Sequence, residues 1–188
     1  MALMSLTKEN QQRLLNLAKS SILQGLKIGQ PLKINLADFP RELTEYRATF
    51  VTLQIDNQLR GCIGMLEAVR PLVEDIIENA FLAAFKDPRF PPLSKEEFDK
   101  LEIHLSILTP AEQIIFESEQ ELIAQLRPNI DGLIIEEGHR RGTFLPTVWE
   151  QLLDPKVFIQ HLKQKAGLDA DYWSASIKFY RYKTEMIT

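Results

Sequence analysis

An α+β fold follows from three features of this sequence. Ala48–Ile55 and Leu101–Leu108 alternate apolar and polar residues with the period of a half-buried strand. Stretches beginning at Thr7 and at Pro71 instead repeat apolar residues at helical spacing. Strands and helices then mix with no regular βαβ rhythm, which argues against a doubly wound parallel sheet. At 188 residues, 45% hydrophobic and 26% charged, the chain suits one folded domain, or a main body with a small lobe. No linker-like tract divides it, so residues 1–188 are expected to fold as one unit.

Each element has a local reason. Thr7 can cap the first helix, Leu14, Leu15, Ala18 and Ile22 form its apolar stripe, and Gly25 can end it. Gly29, Pro31 and Pro40 mark a loop-rich stretch. In the first strand Val51, Leu53 and Ile55 share one face, and Phe50, Thr52 and Gln54 the other. Asp56-Asn57 is turn chemistry, with Leu59–Ile63 returning as the hairpin partner. Pro71 suits a helix start, and Glu74 and Asp75 follow where the dipole favours negative charge. Leu72, Ile76, Ile77, Ala80, Phe81 and Ala84 make that helix broadly apolar, and Pro88 should stop it at Asp87.

Ser94 with Glu97 and Ser118 with Glu121 fit capping boxes for two short helices, the second closed by Pro128. Between them, Leu101–Leu108 buries Leu101, Ile103, Leu105 and Ile107. Leu133–Glu136 and Thr143–Leu145 can pair through a turn at Gly138. Thr147 with Glu150, and Asp154 with Pro155, start two further helices, the second ending at Gly167. Ser174–Ile187 is strand-like.

Composition narrows the function classes. One cysteine, Cys62, excludes an intrachain disulfide, and three histidines offer no Cys/His zinc framework. Neither a phosphate loop nor a Rossmann fingerprint is present, so no metal and no cofactor is expected. The net charge of −4 supplies no global pull toward nucleic acid or acidic membranes. Met1–Leu6 is too short for a signal-peptide core, and nothing approaches the ~18 apolar residues of a membrane span. The expected location is the cytoplasm. Charge is uneven, however: His139–Thr188 holds eight Lys/Arg against five Asp/Glu.

The densest signal is Leu59-Arg60-Gly61-Cys62-Ile63-Gly64. Strand alternation puts Arg60 and Cys62 on one face and Leu59, Gly61 and Ile63 on the other. Two glycines in so short a strand imply a bend or a close backbone approach. A guanidinium about 7 Å from a thiol lowers its pKa by ~0.4 to ~1.7 units, depending on the effective dielectric. Arg60 alone is therefore insufficient to make Cys62 a nucleophile. A buried structural cysteine and a site cysteine both remain open.

LRGCIG preceded by ATFVTL resembles the signature of the AMMECR domain family, also called AmmeMemoRadiSam system protein A. The resemblance continues through AFKDPRFPPLSKEEFDKLEIHLSILTP, GTFLP at Gly142–Pro146 and KAGL at Lys165–Leu168, covering nearly the whole chain. It implies a two-lobed α+β fold, mostly antiparallel sheet flanked by helices, with a smaller second lobe and both chain ends building one lobe. It implies association with a Memo-like protein and a radical-SAM protein, and a role in RNA modification or nucleic-acid metabolism has been suggested for the family. Arg60, Gly61, Cys62, Gly64, Asp87, Arg89 and Phe90 match its two central motifs.

These residues suggest a polar cleft in which Arg60, Gly61, Gly64, Asp87 and Arg89 bind a small anionic ligand, with Cys62 the candidate catalytic residue. The plainer reading of Asp87-Pro88-Arg89-Phe90 is a salt-bridged corner whose phenylalanine plugs the core. Glu102, His104 and Ser106 do not form a triad, because same-face neighbours on one strand stand ~6.5–7 Å apart. Lys178-Phe179-Tyr180-Arg181-Tyr182-Lys183 suits either base stacking or an edge strand guarded by lysine. The leading expectation is an accessory binding component acting with enzymatic partners. The alternatives are a Cys62-dependent enzyme and, more weakly, a nucleic-acid-binding module.

Overall fold

Alternation around Val51 produces the hairpin that the rest of the first half packs against. In a computed structural model describing residues 5–188, β1 (Thr49–Ile55) and β2 (Gln58–Gly64) pair antiparallel. The apolar opening residues up to Met4 lie outside the described residues. Asp56 and Asn57 both take positive φ, 51° and 60°, as a tight two-residue hairpin turn demands. On its other edge β1 pairs antiparallel with β3 (Glu102–Leu108). The C-terminal strand β8 (Thr184–Ile187) completes the order β2-β1-β3-β8.

Two long helices supply the core of this unit. Thr7 Oγ1 accepts from Asn10 N at the start of α1 (Lys8–Ile28). The helix runs past Gly25 and ends at Gly29, whose φ of 69° is the left-handed geometry of a C-cap. Gly25 has a different role from the expected stop: a Cβ there would lie 2.2 Å from the Phe85 ring. It lets α1 approach α3 (Leu72–Phe85) closely. Leu14, Ala18 and Ile22 from α1, Ile76 and Ala80 from α3, and Val51, Leu53 and Leu105 from the strands are fully buried together. The short helices α2 (Arg41–Thr44) and α4 (Lys95–Phe98) complete the unit, and Ser94 and Glu97 close a full capping box on α4.

The chain forms two compact units. Residues up to Leu108 join Glu185–Thr188 in the first, and Thr109–Thr184 form the smaller second. The second has its own antiparallel sheet, made by β4 (Glu112–Gln113), β5 (Gly132–Glu137), β6 (Arg140–Phe144) and β7 (Lys178–Tyr182), in the order β4-β7-β5-β6. Helices α5 (Glu119–Gln125) and α6 (Pro155–Lys165) flank it. The helix expected at Thr147 is a 3-10 turn, Pro146–Glu150, that seats Trp149 flat on Phe158 with ring centroids 3.7 Å apart. The strand-like C-terminal run divides into β7 and β8, which serve different sheets. Its start, Ser174–Ile177, is a loop because Ser174 Oγ accepts the backbone N–H groups of Ser176 and Ile177.

The two motif glycines have separate packing reasons. A Cβ on Gly61 would sit 2.2 Å from the Ala83 carbonyl oxygen of α3, and one on Gly64 would sit 2.3 Å from Thr49 O. Backbone cannot yield as a side-chain tip can. Gly61→Ala should therefore destabilise the protein by about 2 kcal/mol, lowering its melting temperature by about 5 °C. Thermal unfolding followed by circular dichroism checks this, and an unchanged melting point would contradict the close approach.

Candidate functional site

Strand β2 lies at the edge of its sheet, so part of its backbone has no strand to pair with. At Cys62 this vacancy is filled by the turn that follows α3. Asp87 Oδ2 accepts from Cys62 N at 2.9 Å, and Arg89 Nη2 donates to Cys62 O at 3.4 Å. The two side chains are themselves locked together. Arg89 Nη2 reaches Asp87 Oδ2 at 2.7 Å, Arg89 Nε reaches Oδ1 at 3.0 Å, and Arg89 N reaches Oδ1 at 3.1 Å. Asp87 is buried and Arg89 exposed. The Arg89 guanidinium and the Cys62 and Arg89 backbone N–H groups hold the Asp87 carboxyl far below the usual carboxylate range, against the opposing effect of burial.

Arg60 is set by a bulge. The β1 register runs from Leu53 opposite Gly61 to Gln54 opposite Leu59, leaving Arg60 as the extra residue of β2. This corrects the simple alternation: Leu59 lies opposite outward-facing Gln54, on the same face as Cys62. Arg60 is 8% exposed and donates from Nε to Glu97 Oε1 at 2.7 Å, and from Nη2 to Glu97 Oε2 at 3.0 Å and Pro91 O at 2.8 Å. Its Nη1 is buried with no hydrogen-bond partner. Bonding to Arg60 draws the Glu97 carboxyl down to about 2, with the Ser94 N–H assisting. Phe90 lies 5.6 Å from both the Arg60 and the Arg89 guanidinium carbons.

The fold thus gathers Arg60, Gly61, Cys62, Asp87 and Arg89 in one place, with Gly64 two residues along β2. It also brings in residues that local reading missed. Glu97 was legible only as a helix cap, yet it is the partner of Arg60. Thr52 stands directly opposite Cys62 on β1, and its Oγ1 lies 3.2 Å from Cys62 Sγ. His104 on β3 stands opposite the same Thr52. A row Cys62–Thr52–His104 therefore crosses three strands on one sheet face. His104 Nε2 is buried without a hydrogen-bond partner, and Glu102 Oε2 is 3.9 Å away. Cys62 and His104 are two strand spacings apart, about 10 Å, with Thr52 between them.

The other candidate features are structural. Phe179 and Tyr182 of the aromatic-basic run are buried, with exposures of 0% and 2%, so neither ring is open to a nucleobase. Among the described residues no three His, Cys, Asp or Glu side chains converge as a metal site. None of the helices described is long and apolar enough to cross a membrane.

Comparison with known proteins agrees with this architecture. The family model AMMECR1 matches residues 15–187. A protein of Methanocaldococcus jannaschii is 42% identical over 158 residues, covering 82% of this chain and 79% of that protein. Another from Methanothermobacter thermautotrophicus is 36% identical over 183 residues, covering 96% and 95%. The crystal structure of an uncharacterized protein from Pyrococcus horikoshii superimposes with a TM-score of 0.89 at 37% identity, covering 96% of this chain and 92% of that one.

Both carboxyls at the site titrate below their ordinary values, so their pairs stabilise the folded state fully above about pH 4.5 and lose that contribution as pH falls toward 2. Urea unfolding against pH should show wild-type stability declining across that window. Glu97→Gln and Asp87→Asn should each be less stable than wild type at pH 7, with the gap narrowing by pH 2.5. Parallel profiles for all three proteins would mean that the pairs contribute nothing.

Proposed function

The chain belongs to the AMMECR1 family, and from that premise we propose that it is a binding component which holds a small anionic ligand beside Cys62 and works with enzymatic partners. One observation carries the reading: Arg60 Nη1 is a buried donor without an acceptor. Leaving such a group unmet costs roughly 1–3 kcal/mol, and an incoming carboxylate or phosphate oxygen would recover it. The rest of the motif is already matched. Asp87 and Arg89 neutralise each other and fix the Cys62 backbone, which suits a preformed binding surface better than a reacting one. On the resemblance of its motifs to the AmmeMemoRadiSam system protein A, the partners are a Memo-like protein and a radical-SAM protein. They would act in the cytoplasm, where Cys62 stays a thiol.

Anion binding is testable by thermal shift. Phosphate, sulfate and small carboxylates should raise the melting temperature of wild type in proportion to the logarithm of concentration. Cys62→Ser should keep that response, while Arg60→Lys, which retains a cation toward Glu97 but lacks the second guanidinium edge, should lose it. Wild type insensitive to every anion would remove the main support for the reading. Affinity capture from cells expressing Memo-like and radical-SAM proteins tests the partner assignment separately.

The row Cys62–Thr52–His104 favours a second reading, a Cys62-dependent enzyme. There the Thr52 hydroxyl would relay the thiol proton toward His104, whose Nε2 lacks a partner. The two readings differ in alkylation rate against pH. The binding reading expects slow modification, unaltered in His104→Asn and Thr52→Val. Fast modification with a midpoint below pH 7 that rises in both variants would make the enzyme reading the better one.

A further inference from the structure

The second unit contains a cavity of about 550 Å³, inside the range of roughly 300–1,000 Å³ typical of small-molecule sites. It lies where β4 and β7 stop running together. Ile114 N donates to Phe179 O at 2.9 Å, and residues 115–117 and 173–178 beyond that bond line the cavity. The Phe116 and Trp173 rings stand 5.5 Å apart at 54°, both backed by Phe179. Ile115, 75% exposed, is the most exposed large apolar side chain described and sits at the lining.

The lining is held in shape before any ligand arrives. Glu137 Oε1 accepts from Ser176 Oγ at 2.7 Å and Tyr172 OH at 3.3 Å, while Oε2 accepts from Ser174 Oγ at 2.9 Å. One carboxylate thus clamps the loop 172–176. Trp173 is braced by the fully buried Lys163 ammonium, 5.4 Å from its ring, and Lys163 is tied to Glu119 Oε1 at 2.9 Å. Preorganisation of this kind lowers the entropic cost of binding.

Charge selects among ligands. Lys178 lines the cavity, and among the described contacts its ammonium has neither a hydrogen bond nor an ion pair. Its cross-strand neighbour Glu136 also lines the cavity, but its charge is met by Arg141 Nε at 3.1 Å. Glu117, also on the lining, opposes any second negative charge. We propose that this cavity binds a flat aromatic ligand bearing a single negative charge, with its ring against Phe116 and Trp173 and its anionic group on Lys178. Cys62 is not among its lining residues.

The test uses the full chain and 1-naphthoate as probe, with uncharged 1-naphthalenemethanol as control, in equilibrium dialysis and amide and indole shift mapping by NMR. For a ligand of this size a Kd of about 1 mM or tighter is expected. Shifts should concentrate on residues 113–117 and 173–178 and on the Trp173 indole N–H. Lys178→Gln should weaken 1-naphthoate about 5- to 10-fold and leave the alcohol unchanged. Ala175→Trp should obstruct both. If Ala175→Trp does not fold, shift mapping on wild type together with Lys178→Gln still decides the matter. No binding up to 10-fold above that Kd, equal naphthoate affinity in Lys178→Gln, or shifts elsewhere on the protein would each overturn the proposal.

Discussion

An edge strand without a neighbour is a liability, and here the Asp87–Arg89 pair removes it at one residue. A strand neighbour would offer Cys62 an acceptor for its N–H and a donor for its C=O, and Asp87 and Arg89 supply one of each. The pair is good at this because it is bonded to itself by three further hydrogen bonds, so both groups arrive already oriented. A neutral pair would hold the strand less firmly, since charge-assisted bonds are roughly twice as strong. The turn that carries them is in turn pinned, with Phe90 N donating to Asp87 O and Leu93 N to Ala84 O. The position of Cys62 is therefore a consequence of where α3 ends.

Much of this was legible because it is local. Gly61 and Gly64 announced a close backbone approach, and the structure shows which backbone: Ala83 O for one and Thr49 O for the other. Asp87 and Arg89 are two residues apart, so a salt-bridged corner was an available reading, and it describes their mutual geometry. What could not be read was register. The bulge at Arg60 shifts the pairing by one residue, which moves Leu59 to the face of Cys62 and sends Arg60 toward Glu97. The Cys62–Thr52–His104 row is likewise set by which residues three strands place side by side. Along β3 the side chains of Glu102 and His104 do approach, Oε2 to Nε2 at 3.9 Å, while Ser106 Oγ donates to Met186 Sδ; the neighbour of Cys62 is found instead across the sheet.

Elsewhere, composition pointed the wrong way for an identifiable reason. Gly25 looked like a helix terminator, because glycine costs a helix about 1 kcal/mol relative to alanine. Contact between α1 and α3 outweighs that cost, since any side chain there would collide with Phe85. The alternating aromatic and basic residues after Ile177 suit a stacking platform or an edge strand, and they form strand β7, which is no edge because β5 pairs with it on one side and the short β4 on the other. In the sheet, Phe179 packs into the core on one face, and Tyr182 is buried on the other, its hydroxyl within 2.9 Å of Thr143 Oγ1. The same run also had to serve two sheets, a division that nothing in its residue pattern marks.

Formal charge overstates what the surface offers a polyanion. The basic surplus of the last fifty residues counts every cation equally, but most of the long side chains there are tethered. Arg141 pairs with Glu136 and Lys163 with Glu119. Arg140, Lys165 and Arg181 donate to the carbonyls of Gly167, Thr143 and Gln125. Phosphate binding by counterion release scales with the number of cations that can reach the backbone, and tethered or paired groups reach it poorly. In the first unit three arginines, Arg60, Arg70 and Arg89, are likewise bound to Glu97, Asp75 and Asp87. Among the described contacts of the last fifty residues, the ammonium groups of Lys156, Lys178 and Lys183 have neither a hydrogen bond nor an ion pair, and of these Lys178 lines the cavity of the second unit. Three scattered ammonium groups can neutralise only a few phosphates at once.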